Sequence, residues 1–314
     1  MSTPNSVSDR RLLVAALLAG VAVTAVFSSV YIGVLLLSPA EVVMPLGGGV
    51  VAVAVTVLGT WLTELLWYVP YLLVVLRFVA DPSRENAVSG AIIIYAVGLL
   101  FAWLPSQTFG TETTLATTVL PLGNVATYLA VVTVVWLAYG GGVERLAEAI
   151  GDPPNHPVTA LGEGIRLTPN LTVQRGLLAA VAGALVGAGG QLLTGVLYRQ
   201  IQSTAAGRSG VGFTSAGLTP DQFPAEMGFT AAFLLAVLLV TGPRLSRRSI
   251  LTAAGLLVGV QVAVVLLWAL VVPELQLLPP GGQLLRPLAA VSTLVAIAAA
   301  VWLAFHDGIE RVTG

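Results

Sequence analysis

The chain has 314 residues, 56% apolar and only 9% charged, with a mean hydropathy of +0.93 and a net charge of −1. A soluble domain carries about 25% charged residues, so the composition reads as integral membrane, and the absence of a positive excess gives no basis for a nucleic-acid partner. No cysteine is present and all 14 basic residues are Arg, which excludes disulfides, thiolate metal sites, cysteine nucleophiles and lysine Schiff bases.

An apolar run over residues 12–37 follows the polar N-terminal stretch. It is too long for the apolar region of a cleaved signal peptide and lacks a small-residue cleavage site, so it is expected to be a retained first span. A bilayer core of about 30 Å needs roughly 20 apolar residues in a helix. Eight stretches meet that need, at about 11–37, 44–67, 87–104, 119–139, 175–198, 226–243, 250–272 and 285–305. Residues 68–80 continue the second run as YVPYLLVVLRFVA and are read as an extension of it or an interfacial piece.

Residues 121–145 and 287–311 are two copies of one segment: at a constant offset of 166 positions, 12 of 25 residues are identical. The shared residues include Pro121 and Pro287, Trp136 and Trp302, and the pairs Glu144-Arg145 and Glu310-Arg311. Composition alone would give roughly a tenth identity, so the pattern reads as a duplication. Elsewhere the likeness is looser, with Arg10 lining up on Arg175 and Trp103 on Trp268. Four spans per half bring both copies into the membrane in the same direction. The expected fold is an all-α polytopic membrane protein of about eight transmembrane helices, two tandem four-helix repeats in parallel orientation. Its divisions are a first repeat over 1–150, a cytoplasmic linker over 151–174 and a second repeat over 175–314.

Arginine placement sets the orientation. With the N-terminus inside, eleven of the 14 arginines fall on inner segments, and only Arg199, Arg208 and Arg286 fall outside. Both termini are therefore expected in the cytoplasm, with the chain in the plasma membrane. Trp61, Trp67, Tyr68 and Tyr71 read as an interfacial aromatic group, and Trp136, Tyr139, Trp302 and Phe305 as another. The linker opens with the amphipathic VERLAEAIG and then turns irregular through its Pro and Gly residues. Arg without Lys, with abundant Val, Ala, Gly and Thr, suits a GC-rich prokaryotic genome.

Polar groups within the spans are the candidates for a transport pathway: Glu64, Asn124, Gln191 and Gln261, with Ser28, Ser29 and Tyr31 adding hydroxyls. An acid at the bilayer centre costs about 2.5–3.5 kcal/mol on insertion scales and often serves an ion or proton path. If the second span began near Leu46, however, Glu64 would sit at the inner interface, where its charge is inexpensive. The amides have an alternative role in interhelical hydrogen bonds worth around 0.6 kcal/mol each. Asn124 is replaced by Ala290 in the other copy.

Gly183 with Gly187, and Gly255 with Gly259, have the GxxxG spacing that lets helices approach closely. The duplicated Glu-Arg pairs read as headgroup anchors, with gating or partner docking as the alternative. His156 and His306 lack a spaced third ligand, so no metal or haem site is expected. Asn170 opens a glycosylation sequon on the inner side, and the glycine triplets at 47–49 and 140–142 lack a phosphate-loop context. No catalytic motif is found, and neither a cofactor nor an enzymatic reaction is expected. The expected partners are the lipid bilayer and a membrane-protein partner or second copy. The function is read as a non-catalytic accessory or scaffold protein. The alternatives are a small-solute permease with a path between the repeats and, behind it, an intramembrane enzyme.

Overall fold

A computed structural model describes residues 8–37, 49–109, 118–149, 151, 166–168, 171–205, 220, 223–242, 245–271 and 280–313. Their helices are α1 (Asp9–Leu37), α2 (Gly49–Ala80), α3 (Arg84–Phe109), α4 (Pro121–Tyr139), α5 (Gly142–Ala149), α6 (Val173–Ala205), α7 (Phe223–Thr241), α8 (Arg247–Val271), α9 (Pro280–Phe305) and α10 (Gly308–Thr313). A short antiparallel ribbon, β1 (Arg166–Thr168) with β2 (Leu171–Thr172), precedes α6. Among the described residues, four helical stretches are long and apolar enough to cross a membrane: Arg84–Ala102, Pro121–Tyr139, Val173–Ile201 and Phe223–Thr241.

Hydroxyl caps start several of these helices. Ser8 Oγ accepts from Arg11 N, Ser83 Oγ from Asn86 N, Thr172 Oγ1 from Arg175 N and Ser246 Oγ from Ser249 N. Each bond satisfies one backbone donor that the first turn leaves without an intrahelical partner. Pro121 opens α4 at a position where its missing N–H costs nothing.

The molecule turns its apolar side chains outward as well as inward. Leu13 and Leu17 on α1, Ile92 and Leu100 on α3, and Leu251 on α8 are all exposed. Water would penalise such faces; lipid does not. This is the build of a helical membrane protein.

Two seams hold the bundle together. The most extensive joins α4 to α6, and a smaller one joins α1 to α9. Within them, α1 packs on α2, α6 on α7, α2 on α3 and α7 on α8. The buried faces of α4 and α9 coincide at an offset of 166: Ala126, Tyr128, Ala130, Val131, Val134 and Val135 correspond to Ser292, Leu294, Ala296, Ile297, Ala300 and Val301.

Residues 68–80 are an extension of the second run and not a separate helix. They continue α2 without a break past Pro70, and Leu72, Val75 and Leu76 lie in the core. The rings of Tyr68 and Tyr71 are buried within the bundle, at 6% and 4% exposure.

His156, Asn170, Arg208 and glycines 47–48 lie outside the described residues, as do the side chains of Ser28, Ser29, Tyr31, Trp103, Trp268 and Arg286.

Candidate functional site

The α4–α6 seam is built from small residues. Gly183, Gly187 and Gly190 bring the α6 backbone onto Ala126, Ala130 and Val134 of α4. A Cβ added at Gly187 would lie 2.9 Å from Ala130 Cβ, and one at Gly190 would lie 2.5 Å from Ala126 Cβ. In a bilayer such close approach supplies dispersion contact where the hydrophobic effect between helices is absent. Gly255 and Gly259 on α8 share the spacing, yet a Cβ at either meets nothing within 4 Å. Of the two GxxxG patterns, only the first lies in a packed seam.

One candidate amide belongs to this seam. Gln191 Nε2 on α6 donates to Thr127 Oγ1 on α4 at 3.1 Å, and that hydroxyl donates onward to Gly123 O at 3.1 Å. Asn124, one turn from Thr127, is exposed. Thr293, at offset 166 from Thr127, shares a 3.2 Å hydrogen bond with Tyr68 OH on α2. Gln261 is buried at 4% exposure on α8, and its Oε1 has no hydrogen-bond partner among the described residues. Glu64 is partly buried on α2. Among the described residues, no hydrogen bond links Glu64, Asn124, Gln191 and Gln261 to one another.

The continuation of α2 to Ala80 puts Glu64 in the middle of the helix. It stands 13 residues before Arg77, about 20 Å along the axis. Arg77 forms an ion pair with Asp9 at the start of α1, which marks the charged end of this helix pair.

The same end carries the duplicated Glu-Arg motif, whose glutamates reach across the chain. Arg175, in the first turn of α6, grips Glu144 of α5 with Nη1–Oε1 at 2.8 Å and Nη2–Oε2 at 3.0 Å, and donates to Leu137 O at 3.3 Å. Arg11, in the first turn of α1, lies 3.0 Å from Glu310 Oε1 on α10 and 3.4 Å from Asp307 Oδ1. Arg11, and not Arg10, is thus the counterpart of Arg175, and the caps Ser8 and Thr172 align at the same offset of 164.

The turns that present these glutamates match in detail. Gly140 N donates to Trp136 O at 2.9 Å and His306 N to Trp302 O at 3.1 Å. The next residues, Gly141 and Asp307, adopt φ of 74° and 56°. Trp136 then covers Gly142 and Trp302 covers Gly308 so closely that a Cβ would fall 2.6 Å and 2.8 Å from ring carbons.

Sequence reasoning missed Arg11 and Arg175 as a pair, and Thr127 and Thr293 as cross-chain bonding groups. The signal was present: S-x-x-R-x-L-x-A-A starts at Ser8 and T-x-x-R-x-L-x-A-A at Thr172. No protein-family model, no curated protein and no solved structure matches this chain.

Proposed function

We propose that the chain is a non-catalytic accessory or scaffold protein of the plasma membrane. In this reading it has about eight spans in two tandem four-helix repeats, residues 1–150 and 175–314, set in parallel by the linker 151–174, with both termini cytoplasmic. The matching burial of α4 and α9 supports the duplication, as do the twin turns after Trp136 and Trp302 and the two Glu–Arg ties. Those ties run from each half to the other: α5 to α6, and α10 to α1.

The observation that carries the scaffold reading is the closed α4–α6 seam. Glycine and alanine fill it, and its amide Gln191 is occupied by Thr127 instead of facing a channel. A permease working between the halves would need water there. The permease reading keeps one observation of its own, the carboxyl of Glu64 deep on α2.

The absence of native cysteine makes the test direct. Single cysteines at Gln191 and Gln261, with Ser215 and His156 as outer and inner controls, are exposed in intact cells to a membrane-impermeant maleimide. The scaffold reading expects silence at Gln191 and Gln261, labelling at Ser215, and labelling at His156 only after permeabilisation. Labelling at Gln191 would overturn the dry seam and put the permease first. A reversal of the two controls would overturn the orientation.

A further inference from the structure

The duplication supplies an internal comparison for α8. Its N-terminal cap, Ser246 Oγ accepting from Ser249 N, repeats that of α3, Ser83 Oγ accepting from Asn86 N, at an offset of 163. The same offset sets buried Ile94 of α3 on buried Leu257 of α8, so the two helices correspond face for face. Arg84 then matches Arg247, but Glu85 matches Arg248. One turn on, exposed Val88 matches Leu251, which at 73% is the most exposed large apolar side chain among the described residues. After a further turn, exposed Ile92 matches Gly255.

The two repeats also differ in how their charges are paired. Helices α8 and α9 pack as antiparallel neighbours, which brings the first turn of α8 to the end where α10 follows α9. Arg247, Arg248 and Arg311 at that end are exposed, and among the described residues none of them has an ion pair. The carboxylates there, Asp307 and Glu310, are held by Arg11, so four arginines face two carboxylates. At the matching end of the first repeat, Arg84, Arg145 and Arg175 face Glu85, Glu144 and Glu148, and the charges cancel. Cations in a first turn also meet the positive end of the helix dipole, a cost that a neighbouring anion removes. Glu85 supplies that anion in α3, and the first turn of α8 has no acidic residue.

We propose that this face of α8 seats an anionic phospholipid. Arg247 and Arg248 bind its phosphate, because a planar guanidinium pairs two N–H donors with two phosphate oxygens. Arg311 on the adjoining α10 adds a third positive charge. Leu251, at i+4 from Arg247 and i+3 from Arg248, lies on the same face. Beyond it Gly255 and Gly259, where an added Cβ would meet nothing within 4 Å, leave a bare strip of helix for an acyl chain. A zwitterionic headgroup brings its own ammonium, and the unpaired side chains here offer that group no carboxylate. The first repeat has Glu85 beside Arg84 and Ile92 across the strip, so the site occurs once per chain. The proposal rests on the reading of α8 as a span, and holds for a scaffold as for a permease.

The test uses the full chain in phosphatidylcholine liposomes with a trace of lipid that carries a nitroxide on its acyl chain, either phosphatidylglycerol or phosphatidylcholine. The chain has no native cysteine, so bimane is attached through Val258→Cys beside the strip or Ile92→Cys on the matching face of α3. The expected result is that phosphatidylglycerol quenches the Val258 probe at a concentration lower than phosphatidylcholine by about fivefold per engaged arginine. At Ile92 the two tracers should quench alike, and Arg247→Ala/Arg248→Ala should erase the preference at Val258. Equal quenching at Val258 in the parent chain, the same preference at Ile92, or a preference that survives the arginine substitutions would overturn the proposal. So would a Val258 probe that neither tracer quenches. In that case emission as in water would refute the span reading, and a disulfide-linked dimer of Val258→Cys would assign the face to a second copy.

Discussion

Gly190→Ala is expected to strain the α4–α6 seam out of proportion to the single methyl it adds. The new Cβ would sit 2.5 Å from Ala126 Cβ and 3.6 Å from Ala126 Cα. Apolar carbons rest at about 3.5–4.0 Å, so the helices must separate by roughly an ångström or more at this point. Overpacking of that kind costs about 1–3 kcal/mol. Gly255→Ala and Gly259→Ala supply controls with the same chemistry on another helix. Nothing lies within 4 Å of either new methyl, and alanine is the better helix residue, so both variants should be unchanged or stabilised by about 0.5–1 kcal/mol. The assay is sodium dodecyl sulfate titration of the chain in mild-detergent micelles, followed by circular dichroism and compared by midpoint. Ala126→Gly removes the opposing methyl, and in Ala126→Gly/Gly190→Ala the methyl has only changed helices. The double variant should recover most of the loss, a coupling of about 1–2 kcal/mol. A Gly190→Ala midpoint equal to wild type, or a loss that Ala126→Gly does not relieve, would refute this account of the seam.

Two further outcomes concern the charged end. A double-mutant cycle on Arg175 and Glu144 should give a coupling of only about 0.5–1 kcal/mol, shrinking with added salt, because Glu144 is 56% exposed and solvent screens the pair. A salt-independent coupling of several kcal/mol would mean a buried pair and contradict that geometry. Gly141→Val should destabilise by about 1–2 kcal/mol in the same detergent assay, since its φ of 74° is a left-handed conformation that a β-branched residue resists. An unchanged midpoint would show that the turn after Trp136 does not need that conformation.

Much of this architecture was already legible in the amino-acid order. Helical membrane class follows from composition, because so few charges cannot clothe a water-facing surface. The duplication of residues 121–145 at 287–311 is visible as identity, and the structure adds the same αL turn after each tryptophan. The first-turn arginines were harder to see. Arg10 and Arg11 are adjacent, and only the ion pair with Glu310 distinguishes Arg11. The two GxxxG patterns read identically along the chain, since spacing places glycines on one face but leaves open whether another helix covers it. The α4–α6 contact decides that for Gly183 and Gly187, while Gly255 and Gly259 stay uncovered.

The largest difference lies on α2. Hydropathy cannot say where in a long apolar run the membrane begins, so Glu64 could be read at an interface and Tyr68 and Tyr71 as headgroup anchors. The helix continues to Ala80, and Leu72, Val75 and Leu76 in its last stretch are packed in the core. The sequence by itself determined which residues are apolar and that a segment is repeated, because these are local properties of composition and spacing. Face and partner were decided only by the tertiary structure, because each depends on which helices pack together.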